Sequence, residues 1–396
     1  MAGLYIHIPF CKSRCIYCGF YSTTAVELRQ RYVEAVCREV GGLRFEVGGL
    51  RFEVGGWRFE VGGLRFEVGD WRFGTIYLGG GTPSQLTGEQ LHQLFETIYI
   101  YNKVEKDAEV TIEVNPDDVT ESFAQELSSL PVNRVSMGVQ TFSDERLRFL
   151  HRRHSADQVM TAFDRLRKAG IENISIDLMY GFPGETLSDW KADIDQALAL
   201  GAEHLSAYCL MIEEGTPLHR MVMRDDALSA SLPDEEPERQ MYYTLIDQLE
   251  AAGYEHYEIS NFAKPGCHSR HNSNYWNQTP YIGLGAAAHS YDGKACRRWN
   301  TADIMQYMEA MEQGRPCYEE ELLDEDTRYN DMVTVALRTR QGLDLTTLSE
   351  KHRTYCLQNA QRFIDDQLIV CTDNRLHLTR QGLFVSDMVM SELMMV

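Results

Sequence analysis

From residue 4 to residue 211 the chain repeats one pattern: an apolar run of strand length, a loop, then a helical stretch. The strand-like runs are 4–10, 75–78, 109–116, 134–140, 174–181 and 204–211, and helical spacing fills 91–101, 123–130, 156–169 and 187–200 between them. Alternation of this kind predicts parallel strands joined by crossover helices. Six units are too few for a closed eight-stranded barrel, so the expected fold class is α/β, a partial (β/α)6 barrel of the TIM type. Chemistry in such folds sits at the C-terminal strand ends. Those ends carry Cys11, the loop from Gly79 to Thr82, Glu113, Gln140 and Asp177.

Three of the ten cysteines, Cys11, Cys15 and Cys18, fall within eight residues directly after the first strand. Three thiolates on one loop can hold zinc if a fourth ligand comes from elsewhere. They can equally hold three irons of a four-iron cluster, leaving the last iron open. On the cysteines alone both readings stand. Gly79-Gly80-Gly81 lets backbone approach a ligand closely, although a triple glycine is more often a tight turn. Glu113 and Asp177 read either as satisfied barrel carboxylates or as acceptors for a bound ligand.

A net charge of −21 opposes nucleic acid and anionic membrane surfaces. The first residues lack a basic n-region and a long apolar core, so no secretory signal is expected. No run of eighteen uncharged apolar residues predicts a membrane-spanning helix. The seven other cysteines read as reduced thiols. The expectation is a soluble cytoplasmic protein with an apolar share, 43%, ample for a large core.

Helical spacing over 25–40 stops at Gly41-Gly42, where a repeat takes over: Glu-Val-Gly-Gly-Leu-Arg-Phe recurs five times between Glu39 and Phe73, with Trp57 and Trp71 in place of Leu and Asp70 in place of Gly. A heptad coiled coil is excluded, because two glycines per unit cost about 1 kcal/mol each in a helix. At period two the units give hairpins with matched charges, and an exposed glycine-rich tract is equally compatible. Either way the tract reads as an expansion in the connection between the first helix and the second strand.

Cys11-Lys-Ser-Arg-Cys15-Ile-Tyr17-Cys18 after a first strand resembles the cluster loop of the radical S-adenosylmethionine superfamily. The strings from Tyr5 to Cys11, Gly79 to Ser84, Ser136 to Gln140, Asp177 to Thr186 and Ile212 to Pro217 are similar to the oxygen-independent coproporphyrinogen III oxidase family, over nearly the whole chain apart from the repeat. The resemblance implies a [4Fe–4S] cluster on Cys11, Cys15 and Cys18. It implies S-adenosylmethionine held by Tyr5, Tyr17, Gly80, Gly81, Thr82, Glu113, Gln140, Arg152 and Asp177. Two departures stand out: the oxidases carry a further cysteine where this chain has Phe20, and an extension ahead of the site where this chain starts ten residues before Cys11.

His271-Asn272-Ser-Asn-Tyr275-Trp276 is similar to the HNxxYW signature of the family's heme-chaperone branch. An imidazole can ligate heme iron and two aromatics can cover a porphyrin face. Taken without the family, the string reads as a loop cap with a Tyr–Trp pair packed beneath it. With the family, His271, Asn272, Tyr275 and Trp276 are expected to bind heme, His268 and His289 are rival ligands, and Arg270, Arg297 or Arg298 would pair the propionates. From about residue 324, helical stretches and a turn at Asp373-Asn374 between two short strands predict a winged-helix-like domain, fit for protein contact or self-association as a homodimer.

The expected organisation is therefore a barrel at 1–218 carrying the repeat insertion at 39–73, a family-specific extension at 219–323, and the C-terminal domain at 324–396. The leading expectation is a heme chaperone delivering heme to acceptor proteins. The alternative is a coproporphyrinogen III oxidase performing radical decarboxylation. No catalytic residue is assigned.

Overall fold

A computed structural model of the chain describes residues 1–42 and 71–395. Six parallel strands pair in chain order: β1 (Ala2–Ile8), β2 (Arg72–Gly80), β3 (Lys103–Val114), β4 (Arg134–Gln140), β5 (Asn173–Tyr180) and β6 (His204–Cys209). The α/β partial-barrel expectation is the observed architecture. Each strand divides by alternate residues. Leu4, Ile6 and Ile8 of β1, Ile76 and Leu78 of β2, and Val110, Ile112 and Val114 of β3 are buried against the crossover helices. Burial of each such side chain contributes about 1.5–3 kcal/mol. The opposite set, facing the lumen, is polar: Tyr5 and His7, Thr75 and Tyr77, Glu109, Thr111 and Glu113, Arg134 and Ser136, Ser175 and Asp177. The lumen is thus lined by polar side chains rather than by an apolar core.

The helices start where the sequence supplies their caps. Thr87 with Gln90, Ser155 with Gln158 and Thr186 with Asp189 form reciprocal capping boxes at helices Gly88–Tyr101, Ala156–Lys168 and Leu187–Leu200. Each side-chain cap is worth about 1 kcal/mol, and together they fix where the chain turns back from strand to helix.

The sheet does not stop at six strands. β7 (Glu255–Glu258) and β8 (Asn261–Ala263) extend it beyond β6, antiparallel. On the other side β9 (Tyr281–Leu284) lies parallel to β1, followed by antiparallel β10 (His289–Tyr291), β11 (Cys296–Asn300) and β12 (Tyr318–Leu322). Twelve strands form one sheet, and Leu245, Phe262, Ile282 and Tyr307 share the main core with the barrel helices. The segment 219–323 is thereby built into both flanks of the barrel instead of standing apart from it.

Helices Glu325–Leu337 and Glu350–Asp365 lead into the small sheet of β13 (Leu343–Asp344), β14 (Ile369–Thr372) and β15 (Arg375–Leu378). Asp373 and Asn374 take φ of 50° and 59°, the left-handed pair that a tight two-residue hairpin requires. Tyr329, Val333, Phe363, Leu376 and Leu393 make a core of their own. This unit also covers the β7 edge, where Ile259 N donates to Arg338 O at 3.0 Å and Arg340 N to Tyr257 O at 3.1 Å.

Most of the heptapeptide tract, 43–70, lies outside the described residues, and with it the hairpin reading. Its borders differ from the sequence expectation. Glu39 to Gly42 close the helix Arg29–Gly42, glycines included, and Arg72 and Phe73 already belong to β2. The first unit is held by Glu39, a buried carboxylate that accepts from Gly285 N (2.8 Å), Asn300 Nδ2 (2.7 Å) and Tyr307 Oη (2.6 Å). Removing 43–70 and joining Gly42 to Trp71 through a short linker is expected to leave thermal stability and cofactor affinity unchanged, because each doubling of a loop costs only about 0.6 kcal/mol. Carrying the deletion back through Glu39 should cost on the order of 3 kcal/mol, since three buried donors lose one acceptor. Thermal unfolding of the two deletions checks both outcomes, and equal melting temperatures would refute the anchor role of Glu39.

Candidate functional site

The cysteine loop leaves β1 at the C-terminal rim and is held at three points. Thr23 N donates to Pro9 O (2.7 Å) and Cys11 N to Thr23 O (2.9 Å), which folds the loop back on its own stem. Ile16, between Cys15 and Cys18, is buried with Leu150, Met179, Phe182, Leu210 and Leu218, and its backbone bonds Leu150 O and Leu218 N. An apolar anchor between two thiols keeps those thiols turned toward the lumen. Third, Asp118 accepts from Lys12 Nζ (3.1 Å), Ser84 Oγ (3.0 Å), Gln85 Nε2 (2.5 Å) and Arg153 Nη2 (3.2 Å), tying the cysteine loop to the glycine loop and to the segment after β4.

Arg152 is half-buried beside the cysteine loop. Its Nη1 lies 3.6 Å from Cys15 Sγ, and its Nη2 donates to Asn115 Oδ1 (2.7 Å) and Gly138 O (2.6 Å). Its Nε is buried without a partner, as is Thr111 Oγ1 in the lumen below. Thr82 Oγ1 stands 3.5 Å from Cys11 Sγ. Burial, the largest influence, pushes the Tyr17 hydroxyl well above its ordinary range. Among the described residues no three His, Cys, Asp or Glu side chains converge on a point that one ion could occupy.

The glycine loop is needed as glycine. A Cβ on Gly79 would stand 2.7 Å from the Tyr77 ring and 2.8 Å from Glu113 Oε1, and Gly80 sits at φ +111° against the His7 ring. A Cβ on Gly81 would meet Pro9 carbonyl carbon at 2.7 Å. Glu113 accepts from Tyr77 Oη (2.8 Å) and Gly80 N (3.1 Å), and burial raises its pKa to about 7. Asp177, beside Ser136 Oγ at 3.4 Å, is likewise raised by burial. Gln140, in the left-handed region at φ 69° where β4 shifts register, and Arg152 both reach the space above Gly138. Tyr5 stacks on Tyr77 (ring centroids 6.2 Å apart, 29° between planes) and meets His7 Nδ1 at 3.0 Å. Two carboxylates whose pKa burial raises, an orphaned guanidinium nitrogen and a backbone cradle match a ligand that carries both cationic and carboxylate groups. S-adenosylmethionine is such a molecule.

His7, Tyr77, Asn115, Asp118 and Arg134 also line or brace this chamber. They escape notice in the sequence because each is one polar letter in a strand or loop, and only the register reveals that they face inward.

The HNxxYW string lies elsewhere. Helix Arg270–Trp276 docks at the N-terminal ends of the strands, where Thr75 pairs with Gly3 and Glu109. Glu109 accepts from Arg270 N and His271 N, both at 2.9 Å, neutralising the helix start. His271 is 1% exposed, stacked on Tyr77 (5.0 Å), with Nδ1 2.8 Å from Thr75 Oγ1 and Nε2 2.9 Å from Tyr275 Oη. Asn274 Nδ2 also donates to Thr75 Oγ1, so the threonine hydroxyl and the Tyr275 hydroxyl between them engage both His271 nitrogens. Burial lowers the His271 pKa to about 3, keeping it neutral. In this structure the expected iron ligand faces the polar lumen with both ring nitrogens hydrogen-bonded, one ring away from Tyr77, whose hydroxyl bonds Glu113. Asn272 bonds through its backbone to Ser269 Oγ, and the Trp276 ring lies under the Arg338 guanidinium at 4.9 Å. Of the rivals, His268 is bonded to Glu255 (2.7 Å), whereas His289 is exposed beside Trp299. Among the expected propionate partners, Arg270 Nη1 donates to Asp107 O (2.6 Å), Arg297 pairs with Asp331, and Arg298 is buried over the Tyr318 ring.

Comparison with known proteins follows the same outline. The radical SAM superfamily model matches residues 64–197 and the HemN C-terminal domain model residues 323–385. The heme chaperone HemW of Bacillus subtilis (strain 168) is 35% identical over 356 residues, covering 89% of this chain and 87% of that protein. The chain belongs to the HemW family. The HemW of Lactococcus lactis (strain IL1403) is 32% identical over 99% of this chain and 97% of its own length. Among solved structures, the coproporphyrinogen III oxidase of Escherichia coli, described as a radical SAM enzyme, superposes with a TM-score of 0.78 at 22% identity, covering 99% of this chain and 89% of that one. At that identity the likeness shows the fold. HemW membership agrees with the departure at Phe20, 72% exposed on the cysteine loop. Membership in a radical SAM family implies a [4Fe–4S] cluster and S-adenosylmethionine.

Proposed function

We propose that this protein is a heme chaperone, binding heme and passing it to acceptor proteins, with a [4Fe–4S] cluster on Cys11, Cys15 and Cys18 and S-adenosylmethionine in the lumen. The observation that carries the reading is family membership across nearly the whole chain, with relatives named heme chaperones at 32–36% identity. A cluster with one open iron would supply one-electron chemistry to a chelating cofactor. The chain's own part is binding and orientation. Glu113 and the Gly80–Gly81 backbone would take the ligand's amino group, Arg152 and Gln140 would stand beside its carboxylate, and Asp177 and Tyr5 would face the adenosyl part, with Thr82 and Tyr17 flanking the thiols.

All ten cysteines are free, in keeping with a reducing cytoplasmic setting, and no described helix is long and apolar enough to cross a membrane. The barrel, 1–218, holds the cofactors in this reading, the flanks at 219–323 complete the chamber, and the C-terminal unit from 324 offers the surface for acceptors. Anaerobic incubation of the reconstituted protein with heme, and separately with coproporphyrinogen III, tests it. Stoichiometric heme binding without decarboxylated product is expected. Formation of protoporphyrinogen would replace the chaperone reading with the oxidase one.

A further inference from the structure

β4 opens on a buried guanidinium that no described residue neutralises. Arg134 is 2% exposed and faces the lumen, where the register sets it between Thr111 of β3 and Asn173 of β5. Among the described residues its guanidinium makes no hydrogen bond and no ion pair, and its Nε is sealed from solvent without a partner. Thr111 Oγ1 and Asn173 Oδ1 are buried and unpartnered as well, so three such atoms share one layer of the barrel. Buried polar groups are nearly always satisfied, and a buried cation is costly unless an anion pairs with it.

The carboxylates of the lumen are committed elsewhere. Glu109 spends both oxygens on Arg270 N and His271 N, and Glu113 accepts from Tyr77 Oη and Gly80 N. Asp177 stands beside Ser136 Oγ and opposite Gly138, short of an ion-pair contact with Arg134. The imidazoles nearby are neutral: burial first, then the Arg134 charge, lowers the pKa of His271 to about 3 and that of His204 well below its ordinary range. The layer therefore offers donors to an anion and no anion of its own. They are a guanidinium, a threonine hydroxyl and an asparagine amide that can turn its NH2 inward.

The carboxylate of S-adenosylmethionine is already provided for. Arg152 and Gln140 reach the space above Gly138, which is four residues, about 13 Å, further along β4 than Arg134. One carboxylate cannot occupy both places. Heme brings two more, on one edge of an apolar macrocycle. The HNxxYW helix adjoins the same layer: His271 stacks on Tyr77 at 5.0 Å, Tyr77 pairs in register with Thr111, and Thr111 with Arg134. Of the arginines expected to meet propionates, Arg270 is bonded to Asp107 and Arg297 is paired with Asp331.

We propose that Arg134 is the inner carboxylate anchor of the cargo, taking one heme propionate together with Thr111 Oγ1 while the HNxxYW helix holds the macrocycle. The proposal rests on the chaperone reading and names how that site tells a carboxylate-bearing porphyrin from one without.

The test titrates the full chain, with its cluster, anaerobically with heme and separately with heme dimethyl ester, followed at the Soret band. Wild type is expected to bind heme at least tenfold more tightly than the ester. Arg134→Met should lower heme affinity by tenfold or more and leave ester affinity unchanged. It should also raise the melting temperature of the ligand-free chain, because an unpaired buried charge is gone; a structural role would lower it. Arg134→Lys and Thr111→Val should each keep only part of the preference. Failure of the wild type to bind heme would overturn the chaperone reading itself. A wild type that binds heme and ester equally would overturn this inference alone. So would an Arg134→Met variant that keeps the wild-type preference, loses both porphyrins alike or melts at a lower temperature. Loss of S-adenosylmethionine affinity in that variant as large as its loss of heme affinity would assign the anchor to the cofactor and overturn it too.

Discussion

Replacing Cys15 by alanine abolishes the iron–sulfur cluster and leaves the fold intact: that is the largest effect expected of any single substitution here. The thiol supplies one iron's protein ligand, and a three-cysteine loop has no spare. Loss of the ligand also strands Arg152, whose Nη1 faces Cys15 Sγ while its Nη2 remains bonded to Asn115 and Gly138. The backbone of the loop does not depend on that thiol, because Ile16 stays anchored in its own apolar cluster and Cys11 N stays bonded to Thr23 O. The variant should therefore show no visible charge-transfer absorption and little acid-labile sulfide, with a far-ultraviolet circular dichroism spectrum like that of the wild type. An intact cluster spectrum would refute the assignment of Cys15.

The second large effect belongs to Glu113. Burial raises its pKa to about 7, so the carboxyl is mostly protonated at pH 6 and mostly ionised at pH 8. The ammonium group of S-adenosylmethionine is better held by the ionised form. Cofactor affinity is expected to rise across that interval and to level off above it. Glu113→Gln should remove the pH dependence and weaken binding at pH 8 by about tenfold or more, roughly 1.4 kcal/mol. The same group acts in the opposite direction on the ligand-free fold. An unfolded glutamate ionises near 4.5 and the folded one near 7, so the folded state binds the extra proton between those values. Stability of the ligand-free chain should fall as pH rises through that window, by on the order of 3 kcal/mol in total. Thermal unfolding at pH 5 and pH 8, with and without cofactor, reads both trends; a melting temperature independent of pH would contradict them.

Much of this architecture was legible before any coordinates. The helix-facing residues of each strand are apolar and the helices begin at Thr87, Ser155 and Thr186, so the strand–helix alternation stands out in the letters. The cysteine loop was legible for a different reason: three thiols in eight residues have few structural uses. What escaped was everything that depends on register between distant strands. β9 to β12 are three to five residues each, too short for a periodic signal, and their place beside β1 follows from pairing alone. The setting of His271 was hidden for the same cause: Thr75 and Glu109, each more than 150 positions away in sequence, meet it at the N-terminal ends of the strands. The repeat borders were misplaced because Glu39 and Phe73 spell out complete units while serving the barrel.

Helix Arg270–Trp276, lodged among Thr75, Glu109 and Tyr77, fills the end of the lumen opposite the cysteine loop with the chain's own side chains. A cofactor held beneath that loop therefore rests on a floor built from residues far away in sequence, and loosening the floor should reach the cofactor without touching a thiol. Cofactor residence time in a Glu109→Gln variant would read that coupling directly.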